Sequence, residues 1–137
     1  MTQIRHAVAV LIVTPQGIPL VRDLRKPNPC WKAPGGRSSE DDIGKEETAR
    51  DVAIREVEEE IGISPPLYDH ELTIVLEKPY PSHTHSLFVA RRWTLAGIKT
   101  RGDGGEEIKI FSAAEILAMP DFLESHRRAY QEILSSL

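Results

Sequence analysis

The stretch from Glu47 to Ile63 constrains this chain more than any other, because it permits one regular structure and loads that structure with charge. Ala49, Ala53, Val57 and Ile61 recur at every fourth residue, the apolar stripe of a helix that packs on a core. Thr48 and Asp51 mark its start, and Gly62 is the expected stop just past its last turn. At about 100° per residue, Glu56, Glu59 and Glu60 fall within roughly a quarter-turn of one another on the flank of that stripe, while Glu58 points the opposite way, to solvent. Carboxylates crowded beside a buried face repel one another, and like charges at i,i+4 cost a helix roughly a few tenths of a kcal/mol. A helix that needed only solubility would pair them with lysines. The pattern predicts a cation that the sequence does not supply, and hard divalent cations select clustered carboxylate oxygens.

The same residues carry a resemblance. Arg55-Glu56-Val57-Glu58-Glu59-Glu60-Ile61-Gly62-Ile63 resembles the second half of the Nudix box (Arg-Glu-apolar-any-Glu-Glu-any-Gly-apolar) at every defined position, and Glu47 stands eight residues before Arg55, where the box has its first glutamate. Upstream, Trp31-Lys32-Ala33-Pro34-Gly35-Gly36 is similar to the Trp-x-x-Pro-Gly-Gly segment that precedes the box in many Nudix hydrolases. The chain departs from the family in one place: ten residues, Arg37 to Glu46, separate Gly36 from Glu47, where the family places five. The added residues are acidic and polar and are expected to form a lengthened surface loop, which costs little in closure entropy. A solvated acidic helix would explain the charge run but not the Pro-Gly-Gly, the arginine and the terminating glycine together.

The rest of the chain sets bounds. Its 137 residues make a single domain of ordinary size with room for a core, expected over 1–137. A net charge of −4 argues against a binder of nucleic-acid polymer. Cys30 is the only cysteine, which excludes an internal disulfide and fits a reducing, cytoplasmic setting. Ala7 to Val13 is an apolar run of seven residues ending in Thr14-Pro15-Gln16-Gly17, a strand and turn rather than a signal peptide or membrane span. The sequence leaves the oligomeric state open, a homodimer included.

Taken in order, Ile4 to Thr14 is expected as a buried strand and Ile18 to Leu24 as its hairpin partner. Arg22 and Arg25, followed by Lys26, are either solvated edge charges or contacts for an anionic substrate. Trp31 is expected as a packed anchor for the Pro-Gly-Gly turn. Gly35 and Gly36 let the backbone come close to a ligand. Leu67 to Glu77 and His83 to Trp93 are expected as strands, the second with His83, His85, Leu87 and Val89 on one face. His83 and His85 lack a partner pair at zinc spacing and are assigned to a pocket or to the surface. Gly97 to Glu107 is expected as a mobile loop and Ile108 to Phe111 as a short strand. Ser112-Ala113-Ala114-Glu115 matches a capping box for a helix to Met119, and Asp121 to Leu134 forms a last helix with Phe122, Ala129, Ile133 and Leu134 toward the core. This element order predicts an α/β fold with a mixed sheet covered by helices. The Nudix resemblance implies an α/β/α sandwich.

The resemblance also implies the chemistry: metal-dependent hydrolysis of a diphosphate linkage in a nucleoside diphosphate linked to another moiety, with Mg²⁺ or Mn²⁺ as cofactor. Glu59 and Glu60 are the first expected metal ligands, with Glu56 as a third or as the base and the Gly35 carbonyl as another ligand. Arg55 can orient Glu59 across one helical turn. The general base is Glu56 or a loop carboxylate, Glu106 or Glu107. Arg22, Arg25 and Gly36 are candidates for substrate contact, and Glu47 for support of the loop–helix junction. The substrate is expected to be a small nucleotide. A non-hydrolytic nucleotide sensor of the same fold, a relative acting on another diphosphate, and an interaction domain are the rivals, and the complete set Glu56, Glu59 and Glu60 weighs against the sensor.

Overall fold

The computed structural model describes residues 6–38, 47–102 and 104–137. Ile4 and Arg5, most of the lengthened loop before Glu47, and Asp103 lie outside the described residues.

The central element is β1 (His6–Val13), whose near-continuous apolar sequence is that of a strand buried on both faces. It runs parallel to β5 (Thr84–Arg91), with His6 opposite Thr84 and Val13 opposite Arg91, and antiparallel to the three-residue β3 (Gly35–Arg37), with Ala9 opposite Gly35. With β4 (Thr73–Pro79) on the far side of β5, the order is β3-β1-β5-β4. Alternation along β1 then divides the core. Val8, Val10 and Ile12 pack with Val52, Ala53 and Val57 of α1 (Ala49–Glu60) on one face. Ala9 and Leu11 pack with Ile116 of α2 (Ala113–Ala118) and Tyr130 and Leu134 of α3 (Glu124–Ser135) on the other. This is the mixed sheet covered by helices expected from the element order, in the α/β/α arrangement that the resemblance implied.

Two strand expectations are corrected. β2 (Ile18–Arg22) does not form a hairpin ladder with β1; past the tight turn, where Thr14 bridges Gly17, it leaves to pair antiparallel with β6 (Glu107–Phe111) in a separate two-stranded sheet. The side chains account for the departure, since Ile18 and Leu20 pack under α3 while Val21 reaches the α1 side. The strand expected from Leu67 begins only at Thr73, because Asp69–Glu71 forms a 3-10 turn in which Glu71 accepts from the Tyr68 N–H. That strand also continues through Lys78 and Pro79, past the end expected at Glu77.

The helix α1 begins and ends where its chemistry dictates. Thr48 and Asp51 form a reciprocal capping box, and Gly62 adopts φ +68° just beyond the last turn, a conformation that favours glycine. Lys99 Nζ donates to the Glu59 carbonyl, placing a cation at the C-terminal end of the helix. Among the described residues, no helix is long and apolar enough to cross a membrane.

Candidate active site

Three elements bring the functional side chains together. α1 supplies Glu56, Glu59 and Glu60; the turn entering β6 supplies Glu106; β3 closes one side with Gly35 and Gly36. Glu56, Glu59, Glu60, Gly104 and Glu106 line a cleft of about 200 Å³. Among the described residues, no lysine or arginine is part of that lining.

The glycine pair is required by close approach. A Cβ on Gly35 would stand 2.0 Å from the Val8 carbonyl oxygen, so β1 and β3 could not pair at their present distance. A Cβ on Gly36 would stand 2.3 Å from Glu56 Oε2. The Gly35 N–H donates to Glu60 Oε1 at 3.3 Å. Even so, burial pushes the Glu60 carboxyl up to about 7, with Glu56 and Glu106 adding like charge and Lys32 opposing it.

Arg55 organises the acidic face. Its Nε and Nη2 donate to the two carboxylate oxygens of Glu47 at 3.0 and 2.9 Å, a forked pairing that ties the residue before the helix to its middle. Its Nη1 donates to Glu56 Oε1 at 2.9 Å and lies 3.8 Å from Glu59 Oε2. The expected i,i+4 contact to Glu59 is therefore present but longer than the bonds to Glu47 and Glu56.

The structure separates the two loop glutamates. Glu106 lines the cleft, with its carboxylate accepting from the Gly104 N–H at 3.0 Å and a Cβ on Gly102 or Gly104 excluded by it at 2.4 and 2.5 Å. Glu107 is the cross-strand partner of Arg22, whose Nε donates to Glu107 Oε1 at 3.0 Å. Arg22 also stacks 4.4 Å from the centre of the buried Trp31 ring, which is the packed anchor expected. Arg25 is held by Asp23, with Nε to Oδ1 at 3.0 Å, and lies 3.6 Å from Glu106. Neither arginine lines the carboxylate cleft.

A second, larger cavity of about 450 Å³ lies against the same glycine pair and was not foreseen as a unit. Its charged lining is Lys26, Lys32 and Arg37, joined by His85 and His126. His126 belongs to a buried series at four-residue spacing, Phe122, His126, Tyr130 and Leu134, of which Phe122 precedes α3 rather than lying in the helix expected from Asp121; only the two ends of the series were foreseen as core. Its Nδ1 accepts from the Ala33 N–H at 3.1 Å, so α3 fixes the segment that leads into Gly35. Burial holds the His126 imidazole down to about 3, and neighbouring His85 and Lys32 push the same way.

The side-chain donor set of the acidic cleft fits a hard divalent cation, being carboxylate oxygen with no lining cation among the described residues. The carboxylates do not already close on one point: among the described residues, no three His, Cys, Asp or Glu side chains are gathered tightly enough to hold an ion. Arg55 bonds Glu56, and the Gly35 amide bonds Glu60.

Comparison with known proteins agrees with this architecture. The NUDIX domain family matches residues 3–133, so the chain belongs to the Nudix family and is a Nudix-type hydrolase. Among solved structures it is similar to a MutT structure described for Aliivibrio salmonicida and Vibrio cholerae (TM-score 0.75, 18% identity, 98% of this chain and 100% of that one). It is also similar to a NUDIX-family hydrolase from Clostridium perfringens (TM-score 0.71, 16% identity, 98% and 99%). A third likeness is to a bifunctional NMN adenylyltransferase/ADP ribose pyrophosphatase from Francisella tularensis, solved with AMP and Mn ion (TM-score 0.66, 24% identity, 99% of this chain and 42% of that one). At these identities the solved structures establish the fold. A search of curated proteins returns no match.

Proposed function

We propose that the protein hydrolyses a diphosphate linkage in a nucleoside diphosphate linked to another moiety, with Mg²⁺ or Mn²⁺ held by Glu56, Glu59 and Glu60. The observation that carries this reading is the cleft itself, where three carboxylates of one helix and Glu106 from a separate turn face a common space with no lining cation among the described residues. When bound, a divalent ion supplies charge neutralisation at the phosphoryl group and acidifies water. The chain's own residues do the rest. Glu47 and Arg55 hold Glu56 in place, and the Gly35 carbonyl is a further ligand by family resemblance. Glu106 accepts the proton of the attacking water at its carboxylate; the water oxygen bonds to phosphorus as the bridging P–O bond breaks, giving a nucleoside monophosphate and the phosphorylated moiety. Small nucleotides rather than nucleic-acid polymers suit a chain of net charge −4, and a reducing, cytoplasmic setting suits the lone Cys30.

The test is a panel of nucleoside-diphosphate-linked compounds incubated with Mg²⁺ or Mn²⁺, with products resolved chromatographically. Release of a nucleoside monophosphate that stops when EDTA is added is expected. Failure to cleave any member with either metal would defeat the reading.

A further inference from the structure

The cavity on the other side of the glycine pair has a chemistry of its own. Lys26 comes from the loop after β2, Lys32 from the segment before β3, and Arg37 from β3 itself, so three separate stretches of an acidic chain place cations around one space. None of the three makes an ion pair among the described residues. Asp23, the nearest acid in sequence to Lys26, is engaged by Arg25, whose hydrogen bonds hold its carboxyl down to about 2. Among the described residues, no Asp or Glu belongs to the lining, and no Phe, Tyr or Trp is there to stack on a base.

His126 adds a donor of fixed sense. It is 3% exposed, and its Nδ1 is occupied as the acceptor from Ala33, so the neutral ring carries its proton on Nε2. His85 shares the positive surroundings: its imidazole is pushed down by burial, then by His83 and Arg37. Among the described residues, every charged or fixed-polarity side chain of the lining is a cation or a donor. At about 450 Å³ the space is of the size that receives a small ligand.

We propose that this cavity receives a phosphate-bearing, non-aromatic group of the substrate, the part that lies beyond the diphosphate on the far side of Gly35 and Gly36. The inference rests on the hydrolase reading above for its place in catalysis, but the binding chemistry stands on the cavity alone. The nucleobase then lies outside this space, and compounds that carry an additional phosphate on the distal moiety are preferred.

Two measurements test it. The first is isothermal titration of the full chain in EDTA with inorganic tripolyphosphate and, separately, with adenosine. Tripolyphosphate binds, adenosine does not, and a Lys26→Gln, Lys32→Gln, Arg37→Gln variant that keeps its circular-dichroism spectrum binds tripolyphosphate at least about tenfold more weakly, the scale of one lost charge-assisted hydrogen bond. Equal binding by the variant, or adenosine binding more tightly than tripolyphosphate, overturns the proposal. The second compares ADP-ribose with ADP-ribose 1″-phosphate in Mg²⁺, where a lower KM for the phosphorylated compound in wild type, lost in the variant, is expected. Turnover of both with equal KM overturns the proposal. Turnover of neither removes ADP-ribose as the substrate without touching the hydrolase reading, and the titration alone then upholds or overturns the cavity's assignment.

Discussion

The two cavities are electrostatic opposites, and Gly35 and Gly36 touch both: they line the basic one, and they meet the acidic one through the Gly35 N–H bond to Glu60 and the close approach of Gly36 to Glu56. Among the described residues, Glu56, Glu59, Glu60 and Glu106 line a space with no cation, and Lys26, Lys32 and Arg37 line a space with no carboxylate. A Cβ at either glycine would strike β1 or Glu56, so this close approach is built into the backbone. Opposed fields side by side suit a substrate anionic along its length that must be gripped at one end and have its charge neutralised by an added cation at the other. A pocket of one sign would either repel such a molecule or hold it without acting on it.

The acidic side should break first. Glu59→Gln and Glu60→Gln keep side-chain shape while removing a ligand charge, so turnover falls by orders of magnitude in each while the fold survives. Near-normal rates in both at saturating Mg²⁺ would refute the ligand assignment. Glu106→Gln comes next, lowering kcat by about 10²-fold or more with little change in metal-free stability, the usual scale for a lost general base. A wild-type kcat in that variant would leave Glu56 as the preferred base.

The two sides also carry opposite pH signatures. Glu60 has its folded value raised to about 7, so its contribution to stability is full below the unfolded value of 4.5 and is lost as pH rises through 7. His126 has its folded value lowered to about 3, so its contribution is full above 6.5 and is lost as pH falls through 3. Between these windows the two slopes oppose each other. Urea unfolding in EDTA from pH 5 to 6.5 should therefore show stability rising with pH in Glu60→Gln and falling with pH in His126→Gln, each by up to about 1.4 kcal/mol per unit. Parallel slopes in the two variants would remove the electrostatic contrast. The smallest effect belongs to Glu107→Gln, which loosens the pairing with Arg22 across β2 and β6. It should cost about 1 kcal/mol or less, the range of a partly exposed ion pair, and leave kcat unchanged.

How much of this was legible in the sequence differs between the two sides. The acidic side lies on one helix, and its capping box, stripe and terminating glycine are local signals that the structure reproduces within two residues at either end. Glu106 and Glu107 were indistinguishable, because the alternation that sends one to the cleft and the other to Arg22 depends on the β2–β6 register. That pairing was hidden by the turn at Thr14 to Gly17, which looks like a hairpin whether or not the strands remain together. The basic side was largely illegible. Lys26, Lys32, Arg37, His85 and His126 come from five separate stretches, and only the fold assembles them. His126 and Tyr130 were passed over as polar side chains, although Tyr130 is fully buried and its hydroxyl donates to the Phe88 carbonyl at 2.8 Å.

The central claim is that the acidic cleft holds a divalent cation, and thermal unfolding under Mg²⁺ titration tests it without requiring a substrate. A ligand that binds only the native state raises stability by RT ln(1 + [L]/Kd), about 2.7 kcal/mol at a concentration of one hundred times Kd. The wild-type midpoint should climb with Mg²⁺ in this way, and the climb should largely vanish in the Glu56→Gln, Glu59→Gln, Glu60→Gln triple variant. An equal climb in both proteins would place the metal elsewhere and contradict the account.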